Sequence, residues 1–345
     1  MSLLILGNCR PNSGWGSYLE NLKFAVGEKA KFLNFFDSNV GNGCPETPPL
    51  SIGNSFTKGL IARSLPKLYF RSAINGINAE RKSGLVLHYS YNLLPFIGNN
   101  DNDIVTIHDL IIFSKYFNAN MFEKAYAKKL LKRYMTFRNI LTDSNYVKKK
   151  LIENGCDGNI KVVYLPYNQA FQRLDTKIKD RKQFNLPEDK ILILSPTNDK
   201  PWKNLGAISK VMKKLGDKYM LVRIGPDIGI GRTFLNIDVD SLNFLYNLCD
   251  VLLFPSFEEG FGFPLVEAMR TGLPAVVSDI PIFQEIGEDA AEYVDPYNID
   301  SIVGGIESAI NNKETLQKNG IRRAKVFSPK IFREQMVKYY GNILK

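Results

Sequence analysis

Two α/β domains in series, each a parallel sheet wound on both faces by helices, are what this sequence predicts. Three observations carry that expectation. At 345 residues the chain is long for one core and comfortable for two. Short runs rich in Val, Ile and Leu alternate with helical patterns from end to end, as in parallel sheets buried on both faces. The series breaks once, at the polar and charged stretch FQRLDTKIKDRKQFNLPED (171–189).

Taken in order, the first set of strands is expected at SLLILG (2–7), LVLHY (85–89), DIVTIHD (103–109), NILTDS (139–144) and KVVYL (161–165). The Pro/Gly-rich stretch VGNGCPETPPLSIGN (40–54) reads as a mobile loop. MFEKAYAKKLLKRYM (121–135) reads as a helix, because Phe122, Tyr126, Leu130 and Tyr134 recur at i+4 with lysines on the flanks. That stripe is expected to pack on the sheet; a basic amphipathic helix can also lie on anionic lipid. After the break come KILILS (190–195), YMLVRIG (219–225), DVLLFPS (250–256), PAVVSD (274–279) and AEYVD (291–295). The boundaries drawn are 1–170 and 171–327.

Composition narrows the function classes. No apolar run approaches the ~20 residues needed to span a bilayer, and the start MSLLILGNCRPNSG reads as a buried strand rather than a signal peptide. Four scattered cysteines fit reduced thiols in a cytoplasmic protein, and two histidines with no CxxC spacing argue against a metal site. Residues 1–170 carry 21 Lys+Arg against 12 Asp+Glu, whereas the remainder carries 24 against 23. The asymmetry points the first half towards something anionic, a membrane surface or lipid phosphate rather than nucleic acid, with a solvated basic surface as the alternative.

Ligands of open α/β sheets bind at the carboxyl ends of strands, so the residues that follow strands carry the chemistry. EEGFGFPLVEAM (258–269) follows the buried run DVLLFPS. Gly260 and Gly262 would let backbone N–H groups approach a ligand, and the helix start behind them favours an anion. An ionised glutamate can accept from both hydroxyls of a diol, so Glu259 and Glu267 suit two diols, such as a ribose and a hexose. Glu258 suits a cap or a solvated position.

With GLPAVVSD (272–279), this stretch closely resembles the signature of the GT4-type family of GT-B retaining glycosyltransferases (glycosyl transferases group 1), whose common form is E-G-F-G-x-P-x-x-E-A. VTIHDL (105–110), NILTDSNYVKKKLIENG (139–155), KVVYLPYN (161–168), LYNLCDVLLFPS (245–256) and AEYVDP (291–296) fall in the family's order. The resemblance implies the GT-B architecture, two Rossmann-like doubly wound domains facing across a cleft. The acceptor would bind the N-terminal domain and a nucleotide-sugar the C-terminal one. The final helix (328–345) would cross back onto the first domain.

The resemblance also implies residue roles. Glu259, His108 and Lys203 would be catalytic, with Glu259 facing the transferred sugar, His108 near its 6-position and Lys203 on the diphosphate. Glu267 would hold the ribose, and Phe261, Gly262, Phe263, Pro264 and Leu265 would border the sugar hydroxyls. Gly14 and Gly16 would form a loop facing the donor phosphate, His88 and Asp109 would line the acceptor side, and Asp109 would also orient His108. The chain departs from the family at Thr197, where an arginine usually stands, and Lys200 is expected to reach inward in compensation. The implied reaction moves a hexosyl residue, with retention and without metal or cofactor, from a nucleoside-diphosphate sugar to a glycan or lipid-linked hydroxyl acceptor. It would serve lipid-linked or cell-surface glycan assembly, in the cytoplasm or at the inner membrane face. A GT-B sugar-nucleotide epimerase and a non-catalytic nucleotide-sugar-binding partner of a membrane glycan complex are the alternatives.

Overall fold

The computed structural model of the protein describes residues 2–7, 14–27, 30–34, 81, 84–90, 100–117, 120–175 and 178–344. The stretch 40–54, Cys9 and Cys44 lie outside them.

The first sheet contains β1 (Ser2–Gly7), β2 (Ala30–Asn34), β3 (Leu85–Tyr89), β4 (Ile104–Ile107), β5 (Asn139–Thr142) and β6 (Asn159–Val162). They pair in parallel in the order β2-β1-β3-β4-β5-β6. Alternate residues feed different cores. Leu3, Ile5, Val86 and Ile104 join one apolar cluster, while Leu4, Leu6, Leu87 and Val105 join another on the opposite face. Burial of both faces is why these strands read as continuous apolar runs.

The second sheet contains β7 (Ile191–Pro196), β8 (Tyr219–Ile224), β9 (Arg232–Phe234), β10 (Val251–Phe254), β11 (Ala275–Ser278) and β12 (Glu292–Val294). Its order is β12-β11-β10-β7-β8-β9, again all parallel. Counted from β7 this is the doubly wound order 3-2-1-4-5-6, whose switch point falls between β7 and β10. Loops leaving those two strands diverge to opposite faces and open a crevice. The loop after β7 runs to Lys203, and the one after β10 is the acidic turn.

Two strands escape the sequence reading, β2 and β9. Both are edge strands, with Lys31 and Arg232 exposed, and lack the uninterrupted apolar run. The fifth expected strand begins earlier than 161, at Asn159, and its ladder ends with the bond from the Val163 N–H to the Thr142 carbonyl (2.9 Å).

Ten α-helices are described: α1 (Gly14–Val26), α2 (Met121–Tyr134), α3 (Asn145–Glu153), α4 (Leu205–Leu215), α5 (Val239–Leu248), α6 (Phe263–Thr271), α7 (Pro281–Gly287), α8 (Ile299–Asn311), α9 (Lys313–Ala324) and α10 (Pro329–Ile343). A capping box starts α2: Asn120 accepts from the Glu123 N–H (2.9 Å), and Glu123 accepts from that of Asn120 (3.0 Å). Only part of its expected stripe packs. Leu130 and Tyr134 are buried, but Phe122 is 80 % exposed and Tyr126 49 %.

After α9 the chain returns to the first sheet, where α10 packs along α1. Ser328 caps α10 through the Ile331 N–H (3.3 Å). The docking is made specific by a buried polar chain. Tyr340 Oη meets His88 Nδ1 at 2.7 Å, His88 Nε2 meets Thr106 Oγ1 at 2.7 Å, and Thr106 Oγ1 meets Tyr18 Oη at 2.9 Å. His88 is fully buried, and burial together with nearby His108 pushes its pKa down to about 3, so it stays neutral.

Tyr340→Phe leaves one His88 nitrogen buried without a partner and should cost about 1–3 kcal/mol of stability, measured by denaturant unfolding. An unchanged midpoint would mean that this bond does not hold the helix.

Candidate functional site

The site grows out of the switch-point crevice. After β7, Pro201–Lys203 make one 3₁₀ turn, and Asn204 (φ 57°) takes a left-handed conformation that launches α4. The Asn204 amide donates to the carbonyls of Pro255 (3.1 Å) and Pro296 (2.8 Å), and the Phe257 N–H donates to the Trp202 carbonyl (2.8 Å). These bonds clamp the lysine loop to the acidic turn. As a result Lys203 Nζ lies 2.5 Å from Glu259 Oε1, in an ion pair with side chains 14 % and 9 % exposed. The ammonium also sits 5.0 Å from the centre of the Phe254 ring. The two residues expected at the reacting centre are therefore in contact.

Glu267 lies one helical stretch further on α6, where its carboxylate accepts from the Tyr246 hydroxyl at 2.6 Å. Burial pushes its pKa up to about 7, and the Tyr246 hydrogen bond opposes that rise. The helix itself starts from Gly262 (φ 97°) without a side-chain cap. Phe263, Pro264 and Leu265 form its first turn, while the Phe261 ring is buried against Tyr164, Phe263 and Phe327.

Both glycines of the turn serve a purpose different from the one read from sequence. A Cβ at Gly260 would fall 2.7 Å from the Asp109 Cβ and 3.0 Å from the His108 carbonyl; at Gly262 it would strike the Phe283 ring at 2.8 Å. What approaches these glycines is protein: the strand end of the first sheet at Gly260 and a core aromatic at Gly262.

The expectations for the first sheet need correction. His108 is fully buried, with Nδ1 2.6 Å from Asp143 Oδ2 and Nε2 2.8 Å from the Ser90 carbonyl. A carbonyl can only accept, so Nε2 carries a hydrogen, and both ring nitrogens are engaged within the protein. The carboxylate that orients the ring is Asp143; Asp109 instead accepts from the Ile111 N–H (3.1 Å). Burial raises the pKa of both carboxyls, and His108 opposes that shift. His88 does not line an acceptor surface, because both its nitrogens belong to the buried chain beneath α10. Gly14 and Gly16 stand in the first turn of α1 rather than in a loop, and residues 8–13 lie outside the described ones. Lys200 is exposed and does not turn inward; the cation beside Thr197 is Arg223.

Sequence reasoning missed Asp143, Tyr246 and Arg223. A signal existed for two of them: Asp143 ends a buried strand, as Asp109 does, and Arg223 is a lone charge inside the apolar strand YMLVRI. Among the described residues no three His, Cys, Asp or Glu side chains group as metal ligands, and the described cysteines, Cys156 and Cys249, are free and buried.

Around the crevice the two lobes touch through specific contacts. Glu285 of α7 accepts from the N–H groups of Asn145 (2.6 Å) and Tyr146 (2.7 Å) at the start of α3, and from the Tyr164 hydroxyl (3.0 Å). Tyr116 stacks on Phe257, which stacks on Tyr297, and Phe117 stacks on Trp202.

Residues 176–326 match the family model described as glycosyl transferases group 1. Among curated proteins, the O-antigen chain mannosyltransferase RfbU of Salmonella typhimurium is 30 % identical over 239 residues. That alignment covers 62 % of this chain and 62 % of the relative, so the chain spans less than two thirds of that protein. Among solved structures, a sucrose-phosphate synthase from Thermosynechococcus elongatus superposes with a TM-score of 0.76 at 19 % identity, covering 100 % of this chain and 99 % of that one. Anabaena Alr3699/HepE, solved with UDP and glucose, gives 0.73 at 15 % identity over 99 % of both chains. These likenesses identify the fold as GT-B, as the sequence predicts.

The raised pKa of Glu267 carries a sign that can be checked. The folded state favours the protonated carboxyl, so its ionisation costs stability as pH rises from the ordinary glutamate range through about 7. Glu267→Gln, a mimic of the neutral acid, should therefore gain thermal stability relative to wild type at pH 8 and lose that advantage at pH 5. Equal differences at the two pH values would contradict the burial of this group.

Proposed function

We propose, from the premise that residues 176–326 belong to the glycosyl transferases group 1 family within a GT-B frame, that the protein transfers a hexosyl residue from a nucleoside-diphosphate sugar to a hydroxyl acceptor. The carrying observation is the Lys203–Glu259 ion pair at the switch point of the second sheet, with Glu267 on the helix that the same turn opens. It gathers one cation for a diphosphate and two carboxylates for diols. In this reading the second lobe, 171–327, holds the donor. The first lobe, 1–170 together with 328–345, offers the acceptor.

Each group has a task set by its environment. Ionised Glu267 accepts from the ribose hydroxyls. Lys203 neutralises charge on the departing diphosphate, the type of stabilisation that acts only as the bond breaks. Glu259 holds the ammonium in the crevice and turns its second oxygen to the transferred sugar, a positioning task rather than nucleophilic attack. The acceptor attacks from the face that the diphosphate leaves, and the leaving phosphate takes the acceptor's proton, so configuration is retained. No metal is given a role.

RfbU is named as an O-antigen chain mannosyltransferase, which makes a mannosyl donor the first to try and a lipid-linked surface glycan the acceptor. Among the described residues no helix is long and apolar enough to cross a membrane. Attachment would run through α2, which exposes Met121, Phe122 and Tyr126 together with Lys124, Lys128, Lys129 and Lys132. Exposed aromatics next to lysines suit an anionic bilayer surface.

Glu267→Ala should lower donor-dependent release of nucleoside diphosphate by about 100-fold or more in kcat/KM, assayed with GDP- and UDP-sugars; unchanged turnover would sink the assignment. In wild type, nucleoside-diphosphate affinity should rise as pH passes through about 7, because the ligand requires the ionised carboxyl, and that pH dependence should vanish in Glu267→Gln.

Co-sedimentation with phosphatidylglycerol vesicles should fall in the double variant Phe122→Ser/Lys128→Glu, with little change towards phosphatidylcholine alone. Equal binding of both proteins to both vesicles would remove α2 from the membrane contact.

A further inference from the structure

Arg223 is fully buried on β8, and its guanidinium is surrounded by neutral acceptors. Nε donates to the Pro226 carbonyl (2.8 Å), Nη1 to the Ser195 carbonyl (3.3 Å) and Thr197 Oγ1 (2.7 Å), and Nη2 to the Thr197 carbonyl (2.7 Å). Among the described residues it forms no ion pair with a carboxylate. A guanidinium does not lose its proton in proteins, so this is a positive charge inside the protein without a bonded counter-charge. Such a charge is costly to keep. Hydrogen bonding satisfies its N–H groups, and the carboxylates of Asp199 and Asp227 attract the charge through space without bonding it.

The position of that charge matters. Its acceptors are the last residues of β7, the first residue of the loop to Lys203, and the turn after β8. All lie at the carboxyl edge of the sheet, beside the switch point. The fold reserves room for the arrangement. Gly225 has φ 132°, and any side chain there would collide with the Thr197 carbonyl and lie 3.4 Å from Arg223 Nη2.

Thr197 supplies the chemistry. Its Oγ1 accepts from Arg223, so its own O–H hydrogen remains to be donated elsewhere. Two residues back, the Ser195 Oγ is fully buried with no hydrogen-bond partner. One cation, one oriented hydroxyl and one unpartnered hydroxyl thus share the strand end that leads to Lys203.

We propose that Arg223 and Thr197 form an oxyanion-binding point for the donor's diphosphate: Thr197 touches the phosphate, and Arg223 is the positioning residue that orients its hydroxyl and adds positive potential. This rests on the donor reading given above. It explains how the loop tolerates Thr197 without help from Lys200. The guanidinium arrives from the neighbouring strand, and an anion held by Thr197 adds to the through-space attraction of Asp199 and Asp227.

The test uses the whole chain and calorimetric titration with UDP, GDP, ADP and dTDP, with the nucleoside of the best binder, and with inorganic pyrophosphate. Thr197→Val should weaken the best diphosphate and pyrophosphate by about tenfold and leave the nucleoside unchanged, whereas Thr197→Ser should bind like wild type. Arg223→Lys should show the same anion-selective loss; if thermal unfolding shows that variant misfolded, the Thr197 pair decides. Thr197→Val binding diphosphate as tightly as wild type, or losing nucleoside equally, overturns the anion point and leaves the donor reading intact. If wild type binds pyrophosphate but none of the four diphosphates, the donor reading fails while a Thr197-dependent anion point stands. Binding of neither overturns both.

Discussion

The His88 imidazole is shut away from water, so both of its nitrogens must find partners inside the protein. One partner, Thr106, belongs to the neighbouring strand; the other, Tyr340, comes from the last helix, 252 residues later. That requirement makes α10 a structural part of the first lobe. Because α10 follows directly from the second lobe, it also ties the two sheets together. One apolar cluster runs from Leu3 on the first strand through Phe254 and Phe327 to Tyr340. The crevice depends on this tie, since Asp109 meets Gly260 and Glu285 meets α3 only when the lobes are brought this close.

Charge in the crevice is sorted by strand. The basic groups, Lys203 and Arg223, stand on the β7–β8 side, and the carboxylates Glu259 and Glu267 on the β10–α6 side. A parallel sheet with its switch point at β7/β10 brings Lys203 and Glu259 into contact through strand order. The proposed donor, a nucleoside-diphosphate sugar, divides in the same way, into a phosphate portion needing cations and hydroxylated portions needing acceptors. The contact between Lys203 and Glu259 keeps both charges partnered when no ligand is bound, which limits the cost of burying either.

Much of this was legible in the sequence, for identifiable reasons. Doubly buried strands such as LLILG and VLLF declare themselves by composition. The acidic turn declares itself by local spacing, which is preserved however the chain folds. The edge strands did not show, because the side facing solvent carries Lys31 or Arg232 and dilutes the apolar signal. Pairings between distant segments were invisible for a different reason. That Arg223 serves Thr197, Tyr246 serves Glu267 and Asp143 serves His108 depends on which strand ends become neighbours. Gly260 illustrates the boundary: sequence shows that something must come near, and only the fold shows that it is Asp109.

The return of α10 also sets an order of assembly. The first lobe leaves the ribosome before the second, with five of its strands complete before residue 143, yet the helix that satisfies His88 and covers α1 lies beyond residue 328. Until that helix has been made, the lobe lacks the partner of one His88 nitrogen and the cover over α1. The second lobe is contiguous and can close on itself. The lobe made first is therefore the last to mature, and during synthesis it is the segment with the greater need of a chaperone.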